Sequence, residues 1–289
     1  MRLSARLLVP CLAAVLLAGC GMRFVYTQLD WLLPWYARDY VTLEPVQRSE
    51  LDRRLGALLD WHCRDQLPAY VVLLRDAQAA LRDGPVTAAR LEEFLLRGEA
   101  LWDRLMQAVA PDAAGLLAEL SDAQVAELGA AFERRNAEAR EEFLEGRPAD
   151  LRERRIARME KRLQRWFGRL NAAQRARIGE WNNALMLDGE AWLARRVAWQ
   201  QALLAALEQR ADRAALAREV EALLRTPQEG WTAEYRAQAA YNREQTLALL
   251  ADIANSATPR QRKHLLAEVG GLAGQFDGLA CRAPAGQAA

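Results

Sequence analysis

Apolar residues recur every three or four positions along most of the chain, a spacing that places them on one face of an α-helix. Residues that end helices interrupt this pattern at short intervals. We therefore predict a helix from Pro45 to Arg82 that bends near Pro68. Further helices are predicted from Thr87 to Pro111 and from Ser121 to Gly146.

Residues that can cap a helix start precede the later apolar runs, because their side chains accept a hydrogen bond from a free backbone N–H. The predicted caps are Asp150, Asn171, Asp188, Asp212, Thr232 and Thr258. No Ser/Gly linker divides the chain. Residues 42–289 are therefore predicted to form one elongated multi-helix bundle, and a division into two lobes near residue 148 stays open.

The composition supports an all-α fold. The chain has 47 Leu and 56 Ala but only three Ile and seven Thr, and β-branched residues are the ones that suit strands. The formal net charge of +1 gives no general attraction to polyanions, so nucleic acid is not an expected partner.

The first 19 residues have the features of a cleaved signal peptide. Arg2 and Arg6 precede an apolar run that is too short to span a bilayer. The run ends in Leu17-Ala18-Gly19-Cys20, which resembles a bacterial lipobox. This resemblance implies that Cys20 is acylated and becomes the first mature residue. An ordinary signal with a chance cysteine is the alternative.

Gly21 and Met22 follow the cysteine, and the lipoprotein pattern associates Asp at this place with retention in the inner membrane. We therefore expect an anchor in the outer membrane, on its periplasmic face. Residues 20–41 form an aromatic segment next to this anchor. Its side chains either lie at the membrane interface or pack into the helical body: Phe24, Trp31, Trp35 and Tyr36. Six later tryptophans at helical spacing are predicted core residues: Trp61, Trp102, Trp181, Trp192, Trp199 and Trp231.

Two thiols remain after removal of the signal and acylation of Cys20. An even pair in an oxidising compartment favours a disulfide between Cys63 and Cys281, which would join the first and last long helices. Two separately buried thiols are the alternative.

A five-residue pattern recurs four times, at residues 43–47, 120–124, 170–174 and 257–261. It is typical of a capping box, in which the second residue caps the helix and a Gln three positions later reaches back to the free N–H. Outside the first copy, the predicted pairs are Ser121 with Gln124, Asn171 with Gln174, and Thr258 with Gln261. The pattern resembles the Leu-Thr-x-x-Gln boxes of helical periplasmic proteins related to the Spy chaperone and the CpxP regulator. That resemblance implies a helical cradle that binds unfolded clients. The alternative is that the pattern is only a capping arrangement that four helix starts share.

A longer resemblance covers residues 20–72. It rests on Cys20, Tyr26-x-x-Leu29-Asp30-Trp31-Leu32, Tyr40-Val41-x-Leu43, Gln47 and Trp61-His62-Cys63. These residues resemble a family of proteobacterial lipoproteins that is known only as a domain of unknown function. The resemblance implies an all-helical envelope protein and supplies no catalytic residues.

Residues for enzymatic chemistry are scarce. His62 and His264 are the only histidines, and none of the serines of the mature chain lies in a G-x-S-x-G elbow. Two histidines without further ligands give little basis for a metal site. Glycines 270, 271 and 274 lack the Gly-Lys-Ser/Thr ending of a phosphate loop, and we expect them to permit close helix packing instead. No catalytic residue, metal or cofactor is predicted.

Charge is segregated in the middle of the chain. Residues 147–177 contain eleven basic and three acidic residues, whereas residues 112–145 contain nine acidic and three basic ones. Six cationic residues form one helical stripe: Arg154, Arg158, Lys161, Arg162, Arg165 and Arg169. Either the acidic and basic helices neutralise each other, or the stripe faces an anionic envelope component.

These features predict a non-enzymatic, lipid-anchored envelope protein that faces the periplasm. Its partners would be the bilayer, through acylated Cys20, and an envelope protein or anionic envelope component held in a chaperone-like cradle. A scaffolding lipoprotein of an assembly complex and an unrecognised cell-wall or lipid hydrolase are the alternatives.

Overall fold

The computed structural model describes residues 25–281 apart from Thr27. The signal peptide, Cys20 and Phe24 lie outside the described residues. Within them the chain forms α-helices and no β-strand, which confirms the all-α prediction. The helices are α1 Leu29–Ala37, α2 Pro45–Trp61, α3 Leu67–Asp83, α4 Ala88–Leu117, α5 Asp122–Phe143, α6 Pro148–Phe167, α7 Ala172–Ala184, α8 Gly189–Glu208, α9 Arg213–Arg225, α10 Ala233–Asn255 and α11 Pro259–Leu279.

A π-helical segment, His62–Gln66, joins α2 to α3. Pro68 has no N–H with which to continue an α-helical hydrogen-bond ladder. The wider turn accommodates this loss, because the N–H of Leu67 bonds to the carbonyl of His62 five residues back. Where a bend near Pro68 was predicted, the helix has a local widening that begins at His62.

Helix α4 continues through Pro111 to Leu117, so the predicted stop at Pro111 is wrong. Ala110 and Ala114 are buried on either side of this proline. Their packing favours continuation of the helix, and it outweighs the single hydrogen bond that proline removes. The predicted cap at Asp150 is also wrong, because α6 begins at Pro148 and Asp150 pairs with Arg147.

Two clusters of buried side chains form the interior. Core 1 lies between α4, α5, α8 and α9 and comprises Ala114, Leu128, Leu203, Leu207, Leu216 and Val220. Core 2 draws mainly on α6, α7, α10 and α11 and includes Leu163, Phe167, Leu170, Ile178, Trp181, Leu249, Ile253, Leu265 and Val269. The apolar side of α6 packs into core 2 through Leu163 and Phe167 and against it through Ile156, Met159 and Trp166.

The suggested division near residue 148 does not separate these cores. Core 1 combines Leu128 with Leu203, and core 2 combines Val86 with Leu163. Each core therefore takes side chains from both sides of residue 148. The long helix α4 contributes Ala114 to core 1, and its Leu91 packs against core 2, so one helix links both.

A disulfide joins Cys63 to Cys281, with their Cα atoms 5.1 Å apart, as the cysteine count predicted. The N–H of Cys281 also donates to the carbonyl of Cys63 at 3.0 Å. The disulfide and this hydrogen bond fix the end of α11 against the π-helical segment that precedes α3, and α11 and α3 pack along each other. A side chain at Gly270 would collide with Gln78, whose Nε2 donates to the carbonyl of Leu266 at 2.7 Å. Gly270 therefore permits the close helix packing that the sequence suggested.

The capping boxes form as predicted at Ser121, Asn171 and Thr258, and a fourth forms at Glu44. The structure adds a relationship that the sequence did not predict, because the boxes occur in pairs. Gln47 bonds to Gln124, and Gln174 bonds to Gln261, each through the side-chain amides. We call these the first and second paired boxes. Each lies beside one core, where the paired amides satisfy polar groups that are otherwise cut off from water.

Candidate functional site

Two adjoining cavities form a groove that is rich in aromatic and arginine side chains. Cavity A, of about 580 Å³, lies between α8, α9 and the start of α10. Cavity B, of about 690 Å³, lies between the start of α6, residues 186–190 and α10. Trp192 and Tyr235 line both cavities. We call this continuous surface the aromatic groove.

Arg195 is the central cation of cavity A. Its guanidinium carbon lies 4.8 Å from the centroid of the Trp231 ring and 3.2 Å from that of the Tyr235 ring. The two rings meet edge to face, with centroids 5.2 Å apart. Stacking on aromatic faces holds the guanidinium by a cation–π attraction and withdraws it from water. Among the described residues, its buried Nε has no hydrogen-bond partner and its guanidinium forms no ion pair, so the rings are the contacts that hold this cation in the groove wall.

Cavity B repeats this combination of ring and guanidinium. Phe143 packs edge to face against Trp192 with centroids 5.7 Å apart, and the guanidinium of Arg158 lies 5.2 Å from the Phe143 ring. Arg155 also lines the cavity, and its Nε donates to Oδ1 of Asn182 at 3.1 Å. The pKa of Arg155 is lowered from its ordinary value, first by partial burial and then by the neighbouring Arg158 and Arg152. Its environment is therefore poor in negative charge.

A fixed turn brings two large apolar side chains to the rim of cavity B. Asn242 holds this turn at both backbone groups of Met186: Oδ1 accepts from the N–H at 2.9 Å, and Nδ2 donates to the carbonyl at 2.6 Å. Met186 and Leu187 are nevertheless 53% and 51% exposed. The fold therefore presents an ordered apolar rim to solvent beside the two arginines, as a binding surface does.

The predicted cationic stripe lies on the surface of α6. Arg158 is half-buried and its five companions are exposed. Arg154 donates to the carbonyl of Glu145 at 2.8 Å, and Arg165 lies over the Trp166 ring. Among the residues that the structure describes, no member of the stripe forms an ion pair within 4.0 Å.

The acidic helix does not neutralise this stripe. Helix α5 packs mainly on α8, whereas α6 packs on α7 and α11. Helix α5 instead forms an ion pair with α8, through its Arg140 and Glu190 of α8. Of the two expectations for the charge pattern, the structure therefore favours an outward-facing stripe. Arg158 joins this stripe to the aromatic groove.

The aromatic residues near the amino terminus are mostly exposed. Trp31 and Trp35 stack on α1 with ring centroids 6.2 Å apart, yet they are 56% and 51% exposed. Tyr36 is also exposed. Of the two expectations for this segment, packing into the body does not hold for these three residues. The prediction that Trp102 is a core residue is likewise wrong, because it is 58% exposed on α4.

The two histidines have separate partners. His62 bonds through Nδ1 to the hydroxyl of Tyr26 at 3.0 Å, and Nε2 of His264 donates to the carbonyl of Arg165 at 3.1 Å. In the described part of the chain no three His, Cys, Asp or Glu side chains are grouped as metal ligands would be. Likewise, none of its helices is both long and apolar enough to cross a bilayer.

A model of DUF6279, described as a family of unknown function, matches residues 39–236, which is more than half of the chain. The chain belongs to the DUF6279 family. The matched DUF6279 region contains the stripe and most of the aromatic groove, including Arg195, Trp231 and Tyr235. Cys281 and the capping box at Thr258 lie beyond it. No curated protein and no solved structure matches the chain.

Local sequence patterns did not reveal the aromatic groove of this DUF6279 member. The sequence contained one signal for the groove, a set of aromatic and arginine residues spaced as neighbours on one helix face: Trp192, Arg195, Arg196 and Trp199. The other wall comes from Trp231 and Tyr235, more than thirty residues later. Only the packing of α8 beside the start of α10 brings the two together.

Proposed function

We propose that this DUF6279 member is a non-enzymatic, lipid-anchored envelope protein whose aromatic groove and cationic stripe bind another envelope component. Acylated Cys20 would tether it to the periplasmic face of the outer membrane. The observation that carries this proposal is the groove itself, in which Arg195 is held against Trp231 and Tyr235 without an ion pair among the described residues.

Such a surface suits a partner that combines apolar and negatively charged groups. The rings and the rim formed by Met186 and Leu187 offer apolar contact, and the arginines offer bidentate hydrogen bonds to carboxylates. Segments of this composition become exposed when an acidic protein is unfolded. A chaperone-like cradle is therefore the form of binding that the groove supports best.

The test uses reduced α-lactalbumin, an acidic client that aggregates when its disulfides are broken. The purified protein should slow its aggregation, and more strongly at low salt, because screening weakens the contribution of the arginines. The Arg195→Ala/Trp231→Ala variant should lose this effect. Trp102→Ala is the matched control, since Trp102 is an exposed tryptophan outside the groove. No protection at molar excess, or equal loss in the control, would contradict the cradle.

The anchor has its own test. Cys20→Ala should abolish labelling with a radioactive fatty acid and release the protein from the outer-membrane fraction. Labelling that persists in the variant would exclude Cys20 as the acylation site. Crosslinkers placed at exposed positions of α6 in cells would identify the partner, and capture of a folded complex instead of unfolded chains would favour the scaffolding role.

A further inference from the structure

A third cavity lies where the second paired box brings the starts of α7 and α11 together. Its volume is about 820 Å³. All of its charged or ionisable lining residues are basic: Arg169, Arg175, Arg260 and His264. We call it the cationic cavity. It is separate from the aromatic groove, with which it shares no lining residue.

The arginines of this cavity have no acidic partner in the part of the chain that the structure describes. Arg175 donates from Nη1 to the carbonyl of Leu170 at 2.6 Å, and neither Arg169 nor Arg260 forms an ion pair. His264 is oriented by its bond to the carbonyl of Arg165. The helix starts are already capped by Asn171 and Thr258, so the remaining capacity for an anion lies with the three guanidinium groups.

The first paired box provides an internal comparison. A cavity of about 660 Å³ lies beside it, and several lining positions correspond when residues are counted from the caps. The cap Glu44 corresponds to the cap Thr258, and Gln47 corresponds to Gln261. At other positions the chemistry differs. The corresponding residues are Glu119 and Arg169, Val46 and Arg260, and Glu50 and His264.

Two of the three carboxylates of the first cavity are neutralised by arginines, and the third, Glu44, caps α2 and forms no ion pair with the described residues. Glu119 accepts from Arg213 at 2.5 Å, and Glu50 accepts from Arg53 at 2.7 Å and from Arg54 at 2.6 Å. These arginines lower the pKa of Glu50 to about 2. The same arrangement of paired boxes therefore carries mainly paired carboxylates in one copy and, in the other, three arginines without an ion pair among the described residues. The cations of the second copy have no acidic partner among the described residues.

We propose that the cationic cavity binds the phosphate group of a phosphomonoester or inorganic phosphate. Three guanidinium groups around one cavity can supply enough donors for the several oxygens of a doubly charged tetrahedral anion, whereas a single carboxylate is satisfied by one arginine. Arg169 also ends the cationic stripe, so an anion attracted to α6 can reach the cavity along it. This site is independent of the client-binding role proposed for the aromatic groove.

The experiment compares two sources of the same group by calorimetric titration of the purified protein at low, fixed ionic strength. One probe is inorganic phosphate, and the other is dihexanoyl phosphatidic acid below its micelle concentration, which carries the same group on a lipid. The test variant is Arg169→Gln/Arg260→Gln. The matched control is Arg134→Gln/Arg218→Gln, which removes the same charge from exposed arginines without ion pairs elsewhere.

We expect the test variant to bind at least about 100-fold more weakly, since each charge-assisted contact contributes about tenfold. The control should bind like the parent protein. If the test variant loses binding of inorganic phosphate, the cavity is a site for the free anion. If it loses binding of phosphatidic acid, and the parent protein does not bind inorganic phosphate, the cavity is a site for a lipid headgroup. Absence of binding by both probes, or an equal loss in the control, would overturn the proposal. Unchanged circular dichroism would show that the variants are folded, and Arg175→Gln provides a second test variant.

Discussion

Gln47 and Gln124 exchange hydrogen bonds between two helix starts: Nε2 of Gln47 donates to Oε1 of Gln124 at 3.0 Å, and Nε2 of Gln124 donates to Oε1 of Gln47 at 2.6 Å. Each amide also serves its own capping box, because each oxygen accepts from the N–H of the cap. Each Nε2 also donates its second proton to a backbone carbonyl beside the other box: Gln47 donates to Glu119, and Gln124 donates to Thr42. One pair of amides therefore closes two helix starts at once.

This pairing predicts a large effect from a small substitution. Gln124→Met keeps the length of the side chain but removes both hydrogen bonds to Gln47 and the partners of the Thr42 carbonyl and the Ser121 N–H. The free energy of unfolding should fall by about 1–3 kcal/mol, as expected when buried polar groups lose their partners. Urea unfolding of the variant and the parent protein measures this difference in free energy. Gln107→Met, at an exposed position of α4, should be nearly neutral, and equal effects at the two sites would refute the pairing.

The disulfide predicts a strong dependence of stability on redox state. Cys63 and Cys281 are 218 residues apart, so the bond restricts much of the unfolded chain. The chain-entropy model assigns such a closure about 5 kcal/mol as an upper value. Guanidinium unfolding should therefore shift to lower denaturant concentration when dithiothreitol is added. The Cys63→Ser/Cys281→Ser variant should already show the lower value and should not respond to the reductant. A parent protein insensitive to reductant would exclude a stabilising role.

The half-buried imidazole of His62 predicts a loss of stability in mild acid. Burial lowers its pKa below the ordinary value of 6.5. The unfolded chain therefore takes up a proton at a higher pH than the folded protein does. The stability that neutral His62 contributes is fully present above pH 6.5 and is lost as the pH falls through the pKa of the folded state. His62→Gln should reduce the slope of unfolding free energy against pH in this range. The same slope in variant and parent would show that other groups cause the decline.

The stacked indoles of α1 predict contact with lipid in the acylated protein. Trp31 and Trp35 are exposed on a short helix that lies within about 16 residues of Cys20, where interfacial aromatics commonly settle. Brominated phospholipids should quench part of the tryptophan fluorescence of vesicle-bound protein. Trp31→Phe/Trp35→Phe should lose most of that quenching, whereas Trp102→Phe should retain it. Full quenching in the double variant would place the contact elsewhere.

The sequence by itself determined the helical class, the capping boxes and the pairing preference of the two cysteines. These follow from local physics: Leu and Ala favour helices, an Asn or Thr three residues before a Gln closes a helix start, and an even number of thiols favours a disulfide in an oxidising compartment. The helix stop expected at Pro111 failed because the burial of Ala110 and Ala114 depends on distant helices.

Only the tertiary structure decided which boxes meet, that the stripe on α6 faces outward, and that Arg195 packs against two rings. Each of these depends on the relative placement of helices far apart in the chain, and a periodicity of 3.6 residues says which side of a helix is apolar but not which helix covers it. Glu119 and Arg169 stand at equivalent places in two similar boxes, yet the partners around them make one neutralised and leave the other available.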